Sequence, residues 1–455
     1  MMLSTRNNKS LQQQFRVVLI VLSMLLATLG GWILSSDPRM AGFLLLGVLT
    51  IVIFVSPFVG LLMFVGSLPF STLIGETFFQ GLPGFRYFGL IVAAGWLLMD
   101  ILLRRKPMNL KLPQWWSSAG FVAFSLSSGL WAASLSAWEY RTQVLIQLLV
   151  LQLMIAHLIN SQKKLQLLVY ILVLSYVVDA VVAVLQSILN QQNRAVGLNW
   201  DPNILAAEIL TVFPFAYFLF LAAIKCWARL GFGLSLMVMS AAIFASQSRG
   251  IFFAFAVLVP FLILGSHNFA GFRKIILFAM IIIVIAVYMV PLGLNIRLQE
   301  TFEGADRHLS GRYDVWRIGY EMWSSRPLVG VGYGNFPTVY LSFLQEFPSP
   351  FLLLGVPKAA HNMFIGILAE VGLIGFGLFV VMLATTALTW HETVLTLQRV
   401  GLRNEYLLAM AIGYAILAYL LSSLSVMNEY QKIFWVLLGL QTGMYRLAQN
   451  ARTGR

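Results

Sequence analysis

The sequence reads as an all-α, polytopic integral membrane protein with about 12–14 transmembrane helices. Hydrophobic residues make up 59% of its 455 positions and charged residues only 10%, against about 25% charged in an ordinary soluble domain. Apolar runs of roughly 16–25 residues recur along the chain, close to the length that spans about 30 Å of hydrocarbon. The short alternating segments that mark a membrane β-barrel are missing. This composition excludes an ordinary soluble globule. It also excludes a disordered chain, because so many apolar side chains could not stay in water. Cys226 is the one cysteine, which leaves neither a disulfide framework nor a thiolate metal site.

Taken in order, the candidate spans are 17–35, 40–55, 57–74, 84–103, 117–135, 141–160, 165–190, 202–224, 229–246, 251–266, 273–293, 360–390, 404–425 and 430–447. The pairs 40–74 and 229–266 are each interrupted only by a short polar break, Ser56-Pro57 and Ser246–Gly250. Each pair fits two spans, one bent element or a re-entrant hairpin. The first apolar run has a basic leader but no small-residue cleavage site, so it reads as retained.

The cations orient this chain. With the N-terminus inside, the inner segments hold Arg6, Lys9 and Arg16; Arg104, Arg105, Lys106 and Lys111; Lys163 and Lys164; Lys225 and Arg229; Arg273 and Lys274; Arg399 and Arg403; and Arg446, Arg452 and Arg455. The only acids among them are Glu392 and Glu405, whereas outer cations and acids nearly balance. The positive-inside rule then puts both termini in the cytoplasm. The net charge of +13 is an orientation signal in the bilayer, not a nucleic-acid footprint.

One outer connection stands apart. Residues 294–359 form a long loop between N-terminal spans (1–293) and C-terminal spans (360–455), in one integrated domain. Long loops of this kind are functional or disordered, and this one is not of low complexity. Trp316, Tyr320 and Trp323 fall on one helical face, Ser310 is a candidate N-cap, and Pro327 ends the helix. The spacing predicts a short amphipathic helix at the outer interface, with Arg312 one turn before Trp316. Arg312 then points either to lipid phosphate or into a cavity. Gly330-x-Gly332-x-Gly334 lacks the strand and helix of a nucleotide loop and reads as a turn of close backbone approach.

His361-Asn362 opens the segment 360–390. A helix N-terminus disfavours imidazolium, and a neutral imidazole can act as a general base; a plain helix-capping His is the rival reading. Lys358 adds positive charge beside it. Arg249, in Ser248-Arg249-Gly250, and Arg194, in Arg194–Asn203, also lie outside, where each could simply snorkel to lipid. Together these guanidiniums and one His fit an anionic substrate, phosphate or pyrophosphate. Of the acids in spans, Asp100 belongs beside Arg104, whereas Asp179 and Glu208 lie deeper and are proton-relay suspects. Glu370, nine residues after His361, falls on roughly the opposite helix face. No Walker A, HExxH or GxSxG sequence occurs; no metal or cofactor is expected.

The stretches Ser310–Phe336 and His361–Gly375 resemble the shared signature of the O-antigen ligase and O-antigen polymerase superfamily. Arg194–Ala206 and Gln247–Gly250 resemble its two upstream motifs, in the expected order. The resemblance covers roughly the C-terminal 60% of the chain. It implies a C-type membrane glycosyltransferase of lipopolysaccharide biosynthesis in the bacterial inner membrane, its site capped by a periplasmic loop. The donor it implies is a glycan on undecaprenyl pyrophosphate. The acceptor is a hydroxyl of lipid A–core, or of another glycan in a polymerase, and the transfer is inverting and metal-independent. By the same resemblance His361 is the catalytic base or acceptor-positioning group. Arg249 and Arg312 hold the pyrophosphate, and Arg194 is a substrate contact; Lys358 and Asn362, beside His361 in the sequence, complete the candidate substrate-binding set. Ligases of this group have about twelve spans, fewer than the upper count here. The ligase is the preferred version, and an O-antigen or exopolysaccharide polymerase the alternative. A small-anion transporter is the rival from another class, though the internal repeat such folds show is not seen.

Overall fold

The computed structural model describes residues 47, 49–74, 84–108, 112–189, 194–199, 201–265, 305–348 and 358–453. The proposed spans 17–35 and 273–293, the start of span 40–55, the retained first run and the loop portions 294–304 and 349–357 lie outside the described residues. Those residues are overwhelmingly α-helical, without strands. Among the described residues seven helices are long and apolar enough to cross a membrane, or up to eight counting a bent pair. This is a multi-pass, all-α membrane protein.

The helices, in chain order, are α1 (Pro57–Gly66), α2 (Gly84–Trp96, continued by a π-turn over Leu97–Leu103), α3 (Pro113–Ser127) and α4 (Leu135–Leu158). Then follow α5 (Gln162–Leu189), α6 (Pro202–Ala222), α7 (Cys226–Ala245), α8 (Arg249–Gly265) and α9 (Ala305–Ser325). The chain closes with α10 (Phe336–Glu346), α11 (Met363–Val400), α12 (Arg403–Ser422) and α13 (Lys432–Thr453). The pair 229–266 resolves into two helices, α7 and α8. Within 57–74, α1 meets the helical stretch Leu68–Ile74 at 57°.

Several boundaries differ from the sequence reading, each for a local reason. Span 117–135 is shifted: α3 starts at Pro113, whose missing N–H suits a first turn. It ends early because Ser125, Ser127 and Ser128 hydroxyls bond back to the carbonyls of Phe121, Phe124 and Ser125, a pattern that competes with helix continuation. Ser134 then caps α4 through Ala137 N. Span 360–390 runs on to Val400, where Gly401 takes the left-handed conformation at φ +77° that commonly ends helices. Ser310 is not an N-cap; α9 begins at Ala305 and carries Ser310 inside it.

Asp201 caps α6 by accepting from the Asn203 and Ile204 amides at 2.7 and 3.1 Å. α6 is enclosed by α7 and α12, while α13 packs on α4 and α11 packs on α3 and α13. Asp100 sits as the sequence implied, its carboxylate 2.9 Å from both Arg104 and Lys106. This basic end of the bundle also holds Arg446, which donates to the Ile159 carbonyl at 2.6 Å.

The opposite end is shaped by a break in α11. Gly372 has φ +63° and ψ −167°, a conformation reserved for glycine. The break frees backbone groups that a continuous helix would pair, and the segment 327–336 takes them up. Leu373 and Ile374 amides donate to the Pro327 and Leu328 carbonyls at 2.8 and 3.1 Å, while Ala369 and Glu370 carbonyls accept from Val331 and Gly332 at 3.1 and 2.8 Å. The Glu370 carboxylate accepts from the Gly334 and Phe336 amides at 2.8 and 2.9 Å. Gly330, Gly332 and Gly334 all have positive φ, and a Cβ on Gly332 would sit 2.6 Å from Ala132 Cα. The glycine run is therefore a turn of close approach, packed rather than loose.

Candidate functional site

α9 is amphipathic, but its buried face is Val315, Ile318 and Met322, packed on Phe336, Tyr340 and Leu344 of α10. The expected aromatic face lies beside this one. Tyr320 is 58% exposed, with Trp323 against it at 5.4 Å between ring centroids. α9 also approaches α11 closely, since a Cβ on Gly319 would lie 2.6 Å from Ile365. This packing turns Arg312 inward instead of out to lipid. A Cβ on Gly250 would lie 3.6 Å from Arg312 Nη1 and would collide with Ser425. Arg249, the first residue of α8, is therefore a neighbour of Arg312.

His361 has φ +50°, an uncommon left-handed conformation for a non-glycine residue. Asn362 holds it there. Its Oδ1 accepts from the Phe364 and Ile365 amides at 2.9 and 3.2 Å, its Nδ2 donates to the Leu424 carbonyl at 3.3 Å, and the Met363 amide donates to Ser423 O. Asn362 is thus committed to capping α11. His361 itself is exposed within a crowded surround. Burial lowers its pKa below the ordinary imidazole value, Arg312 and Lys358 push the same way, and Asp201 opposes them. Burial and the adjacent Arg249 lower that of Arg312 as well, though a guanidinium remains charged at any physiological pH.

Arg194 is placed differently from the other cations. Its Nε donates to the Ser246 carbonyl at 2.9 Å and its Nη2 to Asn203 Oδ1 at 3.0 Å. The same Asn203 oxygen accepts from Ser248 Oγ at 2.8 Å, and the Ala195 amide reaches Ala245 O. Arg194 therefore ties its loop to the turn just before Arg249. Gln247 in that turn also has positive φ, at +51°. Asp179 and Glu208 bind this loop from below: Asp179 accepts from the Leu198 amide, and Glu208 from Asn199 Nδ2 and the Tyr176 hydroxyl.

The fold thus brings Arg249, Arg312, Lys358 and His361 together, with Arg194 and Asn362 behind them as braces. Sequence reasoning missed Asn203, Ser425 and the paired amides on Glu370. Spacing carries no signal for the first two. The third is foreshadowed by glycines at 330, 332, 334 and 372. Among the described residues no cluster of three or more His, Cys, Asp and Glu side chains could hold a metal ion.

Residues 234–380 match the family described as O-antigen ligase. That match, over about a third of the chain, supports the resemblance to the O-antigen ligase and polymerase superfamily. The ligase-family stretch contains Arg249, Arg312, Lys358, His361, Asn362 and the Glu370–Gly372 break, whereas Arg194 precedes it. None of the curated proteins compared with the chain matches it.

Proposed function

We propose that this protein is an O-antigen ligase-type glycosyltransferase that moves a glycan from undecaprenyl pyrophosphate to a hydroxyl of lipid A–core. The reaction takes place at the periplasmic face of the bacterial inner membrane, with both termini in the cytoplasm and residues 1–293, 294–359 and 360–455 acting as one unit. The observation that carries this reading is that Arg249 adjoins Arg312, and that Arg312 and Lys358 lie near enough to His361 to help lower its pKa.

Arg249, Arg312 and Lys358 hold the pyrophosphate of the donor, where forked guanidiniums match phosphate oxygens. The acceptor oxygen attacks the anomeric carbon from the face opposite the pyrophosphate. The new C–O bond forms as the old one breaks, its electron pair leaves with the pyrophosphate, and the anomeric configuration inverts. The cations stabilise the charge that develops on the leaving group. His361 Nδ1 or Nε2 takes the acceptor's hydroxyl proton, for which it must be neutral beforehand. Arg194 and Asn362 act through position: one fixes the turn before Arg249, the other the backbone of His361.

The test is a gel of surface lipopolysaccharide and lipid-linked glycan from a strain lacking the gene, then complemented with wild type or His361→Ala. Bare lipid A–core with long glycan accumulating on undecaprenyl pyrophosphate, restored by wild type alone, is the expected result. Core capped by one repeat unit would assign the polymerase, which uses the same donor and site. An unchanged profile would overturn both and return the arginines to a small-anion transport role.

A further inference from the structure

A second basic recess lies apart from His361, at the N-terminal ends of α2, α4 and α13. It has a volume of about 390 Å³, within the usual range of ligand pockets. Three cations crowd its head. Arg86 lies over the Tyr140 ring at 5.1 Å, Arg141 over Tyr430 at 4.1 Å and Lys432 over Phe85 at 4.8 Å. Among the described residues no Asp or Glu lines the recess, and the ion pairs at Asp100 lie at the far end of the bundle. Glu429 and Glu370 face Arg141 from the protein side, and Glu208 faces Lys432.

Below the cations the walls turn apolar. The lining runs down α4 from Tyr140 to Met154, about 21 Å at 1.5 Å per residue. That exceeds the roughly 15 Å of hydrocarbon in one leaflet. Gly89 and Ala93, one turn apart on α2, hollow the facing wall. The recess is open sideways: Tyr140 is 55% exposed, Leu90 46% and Ile146 42%. A helical membrane protein presents such a side opening to lipid, so an occupant enters from the bilayer.

We propose that this recess binds one molecule of an anionic glycerophospholipid. One chain lies along α2 and α4, and the phosphate sits between Arg86 and Lys432. A phosphodiester's single negative charge suits this head, because Arg141 already faces two acids. A free phosphate would use the cations and leave the apolar trough unfilled. The site stands whatever reaction the ligase-family domain performs.

Native mass spectrometry of the full chain, released from phosphatidylcholine nanodiscs containing phosphatidylglycerol, tests this. One phosphatidylglycerol should be retained over phosphatidylcholine by about tenfold, roughly what one hydrogen bond to a charged group supplies. The double variant Arg86→Gln/Lys432→Gln should lose that preference. Ala93→Trp, which fills the trough and keeps the cations, should lose the bound lipid. Arg104→Gln, at the opposite end, should change neither. Equal retention of both lipids would overturn the proposal. So would displacement of phosphatidylglycerol by undecaprenyl phosphate at equal concentration, which would make the recess a substrate-lipid groove. Displacement by millimolar inorganic phosphate would also overturn it, since the chain would then count for nothing.

Discussion

Glu370→Ala removes an acid that the sequence places on the helix face away from His361 and that clamps backbone in the fold. Its carboxylate accepts two backbone amides, Gly334 N at 2.8 Å and Phe336 N at 2.9 Å, and the residue is 1% exposed. Alanine leaves both amides buried without a partner, at about 1–3 kcal/mol each. The variant is relieved of the cost of burying a carboxylate, so the net loss belongs in the lower half of the summed range, about 2–4 kcal/mol. Against a typical folding stability of about 5–15 kcal/mol, that is a large fraction. Glu370→Gln keeps one acceptor and turns an NH₂ toward the second amide, so it should cost about half as much. Thermal unfolding of the purified protein in detergent, followed by intrinsic tryptophan fluorescence, reads both. The midpoint should fall in the order wild type, Glu370→Gln, Glu370→Ala, and glycan transfer per folded molecule should fall much less than stability. A Glu370→Ala protein with the wild-type midpoint would refute the clamp. If it also lost transfer, Glu370 would be a reacting group.

Four further outcomes follow from the site. His361→Ala should lower transfer about 10²- to 10⁴-fold at neutral pH with normal expression. In wild type the rate should be flat above the ordinary imidazole pKa of about 6.5 and fall only at lower pH, because the lowered pKa of His361 keeps the base neutral until the solution is more acidic; a fall beginning above that value would contradict it. Arg312→Gln should lower kcat about 10²- to 10³-fold, as loss of one charge-stabilising donor does, and an unchanged kcat in a steady-state transfer assay would remove Arg312 from the pyrophosphate site. Gly250→Ala should abolish transfer, because its Cβ collides with Ser425, and Ser425→Gly should restore part of it; failure of that rescue would show that something other than the collision is at fault.

The helices were legible because the solvent of this protein is lipid, and apolar run length alone reports a span. α4 to α7, α11 and α12 follow from that measure. Where a hydroxyl or a glycine intervenes, run length fails: α3 stops at its serines although the apolar run continues to 135. α9 was visible by its period, but the buried face was not, because Val315, Ile318 and Met322 make a stripe as regular as Trp316, Tyr320 and Trp323. α10 was missed, although Phe336, Tyr340 and Leu344 fall on one face and Pro337 suits a first turn. For the site, residue chemistry alone singled out Arg249, Arg312 and His361 as charged or titratable groups near membrane ends. It could not tell that Arg194 and Asn362 commit donors and acceptors to neighbouring backbone and side chains and so act as braces.

That separation explains why so many residues are needed for so few reacting groups. Arg312 and His361 sit 49 positions apart in the sequence, one on α9 and the other just before the cap of α11, joined through a long connection. A flexible connection would let the two side chains drift, and misplacement by about 1 Å can cost a hundredfold in rate. The break at Gly372 removes that freedom. Six hydrogen bonds tie 327–336 to the two sides of the break, and that segment begins right after the helix carrying Arg312. The half of α11 before the break is capped by Asn362, beside His361, so both ends of the connection are referenced to one rigid element. Asn203 does the same for Arg249, accepting from Arg194 and Ser248 at once. The price is backbone strain at His361, Gln247 and Gly372, and the packing that maintains it also fixes the cations beside the imidazole.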